Sequence, residues 1–126
     1  KNLDFVLVST WVMNYQDILQ FKEWILNGTV KKIDFYLGEI FPKQYRFEWD
    51  LLQNMKKELK QIERIVVFKN HSKIFAGYNE SNDFYFGVQT SANIQTNPRC
   101  ENGCITINKE IFDFYKNYFD GVQSYV

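Results

Sequence analysis

The stretch from Lys69 to Glu101 reads KNHSKIFAGYNESNDFYFGVQTSANIQTNPRCE. Within it, Ser72–Gly77 (SKIFAG) and Asp83–Thr90 (DFYFGVQT) are short β-rich runs, and the NESND link at Asn79–Asp83 is built of turn residues. The pair therefore reads as a β-hairpin. Toward the amino terminus the rhythm is different. Three apolar runs, Leu3–Thr10 (LDFVLVST), Lys32–Gly38 (KIDFYLG) and Arg64–Lys69 (RIVVFK), alternate with segments of helical period. The first such segment, Tyr15–Asn27, repeats Ile18, Phe21 and Ile25 behind a capping candidate, Asn14, and ahead of Gly28 as a stop signal. The second, Phe47–Lys60, is predicted to bury Phe47, Leu51, Leu52, Met55 and Leu59 on one face, with Pro42 in the connection before it. Toward the carboxyl terminus, Cys104–Asn108 (CITIN) reads as a last strand. A last helix over Lys109–Phe119 shows a stripe of Ile111, Phe114, Tyr115 and Tyr118.

A strand–helix–strand–helix–strand lead-in dictates parallel strands joined by right-handed crossovers. The hairpin and last strand dictate antiparallel pairing. The expected fold class is thus α/β, a mixed β-sheet with helices on both faces, and residues 1–126 make one domain. In such sheets ligands gather beyond the carboxyl ends of parallel strands. That directs attention to the loops after Thr10, Gly38 and Lys69.

Fifteen basic residues balance fifteen acidic ones. This excludes a strongly basic, sequence-independent nucleic-acid coater, whose grip scales with its cationic contacts, but leaves room for a local basic groove. No apolar run approaches the roughly 20 residues of a membrane span, so no membrane association is expected. The opening Lys1–Asn2–Leu3–Asp4 runs straight into strand-like sequence without a leader pattern, and two cysteines make no disulfide framework. A cytoplasmic, reducing setting is the expectation. Cys100 and Cys104 with a single histidine elsewhere do not assemble a closed four-ligand zinc site, so neither metal nor cofactor is expected.

The only histidine, His71, stands two residues before Lys73. If both lie on the strand that begins there, alternation points them the same way, as it does Ser91 and Asn93 after the next strand. A hairpin from Lys73 to Ser91 sets the two pairs side by side. Imidazole, ammonium, hydroxyl and carboxamide together suit a phosphoryl centre: a nucleophile or proton shuttle, a fixed cation, and neutral donors for the remaining oxygens. Glu101 is placed to orient an imidazole, and Arg99 to contact a phosphate with its planar fork. Trp11, Tyr15 and Phe41 fall near strand ends, where aromatic rings either stack on bases or pack the scaffold.

His71-Ser72-Lys73, then Ser91-Ala92-Asn93, then Asn97-Pro98-Arg99-Cys100-Glu101 resemble the H-x-K, G-S-x-N and trailing Glu of the phospholipase D superfamily. The order of elements resembles that family over nearly the whole chain. The resemblance implies that His71 attacks phosphorus to form a phosphohistidine. Lys73 and Asn93 would hold the phosphoryl oxygens with help from Ser91, and Glu101 would orient His71. A second histidine, from a second motif, would protonate the leaving oxygen. Because this chain carries one, the resemblance implies a C2 homodimer with the site on its dyad. Two positions depart from the family pattern: Tyr78 stands where an Asp is expected, and Thr90 replaces the Gly beside the phosphate.

Small single-motif members without a membrane-binding module resemble the nuclease branch. The functional expectation is accordingly a metal-independent phosphodiesterase acting on nucleic acid. The alternatives are a catalytically weak or inactive module of the same fold that binds nucleic acid or a partner protein, and a phospholipid phosphodiesterase.

Overall fold

A computed structural model describes residues 2–90 and 103–124. Three strands, β1 (Phe5–Thr10), β2 (Ile33–Gly38) and β3 (Ile62–Phe68), run parallel. They are linked by α1 (Tyr15–Leu26) and by the pair α2 (Phe41–Gln44) and α3 (Arg46–Glu58). Then β4 (Ile74–Asn79), β5 (Phe84–Thr90) and β6 (Gly103–Thr106) follow as antiparallel strands, and α4 (Lys109–Asp120) ends the order. Together the strands form one six-stranded mixed sheet in the order β3-β2-β1-β4-β5-β6. The first strand in sequence thus sits inside the sheet, parallel to β2 and antiparallel to β4.

Side-chain alternation divides the interior in two. Val6, Val8, Ile33, Phe35, Leu37 and Val67 meet α1 (Ile18, Phe21, Ile25) and α3 (Trp49, Leu52, Met55) on one face. Phe5, Leu7, Tyr36, Val66 and Ala76 meet Phe112 and Phe119 of α4 on the other. Helices therefore cover both faces. Every residue of β1 and β2 is buried, which is why those strands read as mostly apolar runs without alternation, broken only by Asp34 and by Ser9 and Thr10 at the end of β1.

The caps follow the sequence closely. Asn14 accepts the Asp17 amide at 2.8 Å, Asn108 does the same for Ile111 at 2.7 Å, and Gly28 takes φ 83° just past α1. Two helical faces are turned from expectation. In α3 the buried side is Trp49, Leu52 and Met55, while Phe47 projects outward. Trp49 has the larger area to bury, and Phe47 lies two residues before it, on the other side of the helix. In α4 the buried residues are Phe112 and Phe119, with Tyr115 half-buried between them, so Phe114 and Tyr118 face outward. Pro42, expected in a connection, falls at the start of α2, where its missing N–H goes unneeded. Among the described residues, no helix is long and apolar enough to cross a membrane.

Candidate functional site

The parallel strands place Thr10, Gly38 and Phe68 at one end of the sheet, and Gly38 and Phe68 are register partners. Because β4 is antiparallel to β1, with Ile74 opposite Ser9, the start of β4 lies at that same end. So does the end of β5: Gln89 pairs with Ile74, and the Thr90 amide donates to the Lys73 carbonyl at 3.0 Å. Topology alone thus gathers His71, Lys73 and Thr90 beyond the carboxyl ends of β1, β2 and β3. Ser91, Asn93, Arg99 and Glu101 lie outside the described residues. Thr90 and Gly103, which bracket that segment, are register partners in β5 and β6.

His71 and Lys73 do not lie on a strand, contrary to the alternation argument, because β4 begins only at Ile74. The cause is Asn70. Its Oδ1 accepts the Ser72 amide at 2.9 Å and the Ser72 hydroxyl at 2.6 Å, a local turn that draws these groups away from ladder pairing. Its Nδ2 donates to Ser9 Oγ at 2.9 Å and to the Tyr36 carbonyl at 3.0 Å. All four hydrogen-bonding positions of that amide are used, and Asn70 is 2% exposed. Ser9 Oγ and Ser72 Oγ lie 2.5 Å apart. Ser72 donates to Asn70 and Ser9 accepts from it, so the remaining proton runs from Ser9 to Ser72 and closes the ring of bonds. This buried network ties β1, β2 and the loop together and fixes both neighbours of His71.

The imidazole of His71 is exposed and lies over the indole of Trp11, with ring centroids 4.9 Å apart at 31°. Trp11 follows the last residue of β1. Its position rests on Gly38: a Cβ there would fall 2.1 Å from Trp11 Cδ1 and 2.9 Å from its carbonyl oxygen. The Gly38 amide donates to that same carbonyl at 3.1 Å. A glycine at the end of β2 is thus what admits the indole on which His71 lies. Trp11 Nε1 is buried without a hydrogen-bond partner among the described residues. Lys73 Nζ donates to the His71 carbonyl at 2.8 Å, so its ammonium is folded back over the loop.

A second polar cluster lies near the opposite end of β2. Asp34 is 3% exposed, and burial pushes its carboxyl up to about 6 against the pull of Lys116 and Arg64. Tyr36 Oη donates to Asp34 Oδ2 at 3.5 Å, and burial, reinforced by the Asp34 charge, holds that hydroxyl well above its ordinary value. Arg64 donates to Tyr36 Oη at 2.9 Å, to the Phe119 carbonyl at 3.3 Å and to the Val122 carbonyl at 3.0 Å. The guanidinium therefore closes the carboxyl end of α4, a structural duty remote from His71.

Sequence reading singled out His71 and Lys73 but passed over Ser9, Gly38, Asn70 and Ser72, which position them. The available signal was the polar pair Ser9-Thr10 ending an otherwise apolar strand, and Asn70 immediately before the histidine. Of the three aromatic candidates for base stacking, Phe41 is fully buried in the core, Trp11 contacts His71, and Tyr15 is exposed. Comparison with the models of known protein families and with curated proteins finds no match to this chain.

Proposed function

We propose that the chain is a metal-independent phosphodiesterase of the phospholipase D kind, acting on nucleic acid as a homodimer. The observation that carries this reading is the placement of His71, on a loop fixed by Asn70 and over the Trp11 ring, at the end of the sheet where β4 and β5 also bring Lys73 and Thr90. A nucleophile for an in-line displacement has to be accessible yet held in orientation, and this imidazole has both properties.

In the proposed reaction an imidazole nitrogen of His71 bonds to phosphorus while the bond to the leaving oxygen breaks. That oxygen takes its proton from the His71 of a second copy. Water then attacks the phosphohistidine, gives a proton back to the second imidazole, and regenerates the first. Lys73 would turn from the His71 carbonyl to the phosphoryl oxygens, with Ser91, Asn93 and Arg99 as further donors and Glu101 orienting His71. The second reading, a module that binds nucleic acid or a partner without turnover, is favoured by one observation: the Lys73 ammonium is engaged by backbone. A phospholipid substrate has no specific feature in its favour.

The test is cleavage of single-stranded and duplex DNA in EDTA by wild type and His71→Ala, from roughly pH 5 to 8. Cleavage by wild type alone is expected. After exchange of subunits, an equal mixture of the two should show roughly a quarter of the activity of wild type at the same total protein concentration, because only the pure wild-type dimer holds two histidines. If neither protein cuts and both bind DNA equally, the catalytic reading is wrong and the binding module replaces it.

A further inference from the structure

Tyr15 is the first residue of α1 and Phe47 the second of α3. Their rings lie against each other with centroids 5.2 Å apart at 33°, and they remain 40% and 65% exposed. Both helices start where β1 and β2 end, so the ring pair stands at the same end of the sheet as His71. Tyr15 is four residues beyond Trp11, which itself touches His71. The ring pair joins α1 to α3, yet the buried face of α3 is carried by Trp49, Leu52 and Met55, so most of Phe47 stays in water. Other exposed aromatics, such as Phe114 and Tyr118, lie on α4 across the sheet.

Resting on the reading above, we propose that Tyr15 and Phe47 form a stacking platform for the unpaired bases of a single-stranded nucleic acid whose phosphodiester lies at His71. Two considerations select that substrate class. With no net charge the chain has little cationic excess for neutralising phosphates: at this end Lys43, Lys69 and Arg46 are exposed, and Arg46 is partly spent on Asp50 at 3.4 Å. Stacking supplies attraction without charge and tolerates any base. Duplex bases are already stacked on one another, whereas unpaired bases have faces to offer an exposed ring.

The experiment measures binding of a labelled oligothymidylate in EDTA, in the His71→Ala background so that the probe stays intact. Adding Tyr15→Ala and Phe47→Ala together should weaken binding about fivefold or more. Replacing the pair by Tyr15→Phe and Phe47→Tyr, which keeps both rings, should preserve affinity. An abasic oligonucleotide of equal length and a duplex should bind the parent and the alanine pair alike. Unchanged affinity for oligothymidylate, or no binding by the parent, overturns the platform. So does an equal loss on the abasic strand. A shift from dimer to monomer in sedimentation would also overturn it, making the ring pair a subunit contact. If stacking-dependent binding appears while wild type fails to cleave DNA, the platform stands and the nuclease reading falls.

Discussion

At the scale of single residues, Asp34 and Asn70 are two buried polar groups with opposite circumstances. The Asn70 amide finds a partner for each donor and lone pair, so its burial costs little and fixes a loop. Asp34 has one oxygen with no hydrogen-bond partner among the described residues, and its charge is opposed by desolvation. A carboxyl raised from 3.8 to about 6 binds its proton more tightly folded than unfolded. Its contribution to stability is therefore fully present below about pH 4 and is lost as pH rises through about 6. Asp34→Asn removes that loss. Urea unfolding should show the variant more stable than wild type by about 1–3 kcal/mol at pH 7.5, and nearly equal to it at pH 3.5. A variant equally or less stable at pH 7.5 would mean that Arg64 and Lys116 compensate the charge in full. Tyr36 stays protonated across this range and can serve as donor throughout.

Among elements, the relation of β1 to β2 decides where the candidate nucleophile lies. Gly38→Ala drives a methyl into Trp11, and the indole must give way or the strand end must. The expected cost is about 1–3 kcal/mol by overpacking. The His71 ring protons, shifted by the indole beneath them, should move toward ordinary imidazole positions in the NMR spectrum. Unchanged shifts would show that Trp11 follows the displacement and keeps its contact. How far these relations could be read from residues alone varies by element. The parallel half is legible because β1 and β2, buried on both faces, leave largely apolar runs without alternation, and because Asn14 and Gly28 mark the ends of α1. Helical faces were less legible: Phe47 and Trp49 both satisfy an apolar stripe, and only three-dimensional packing ranks them. β4 starts two residues later than the sequence run suggests for a local reason, since the Asn70 carboxamide competes for the Ser72 amide that a strand would use. In the candidate site, the pattern of His71 and Lys73 was visible, but the residues that hold them come from strands distant in sequence, and no spacing announces such neighbours.

For the molecule as a whole, the sheet is unevenly sheltered. Its interior strands β1 and β2 lie between α1 and α3 on one face and α4 on the other, while β6 pairs with β5 alone among the described residues and leaves Ile105 69% exposed. Leu3, Phe84, Phe86, Val88, Ile105 and Ile107 line an apolar hollow of about 350 Å³ at this less protected side. The consequence is a gradient of kinetic protection along the sheet. Amide protons of β6 should exchange with deuterium through small local openings, whereas those of β1 should exchange only when the whole chain unfolds, with opening free energies approaching the global value. Equal exchange in β1 and β6 would show a single cooperative unit instead. On the expected gradient, the strand that leads into Trp11 stays shut while the edge strand breathes, and that loosening touches the His71 end through the pairing of Thr90 with Gly103.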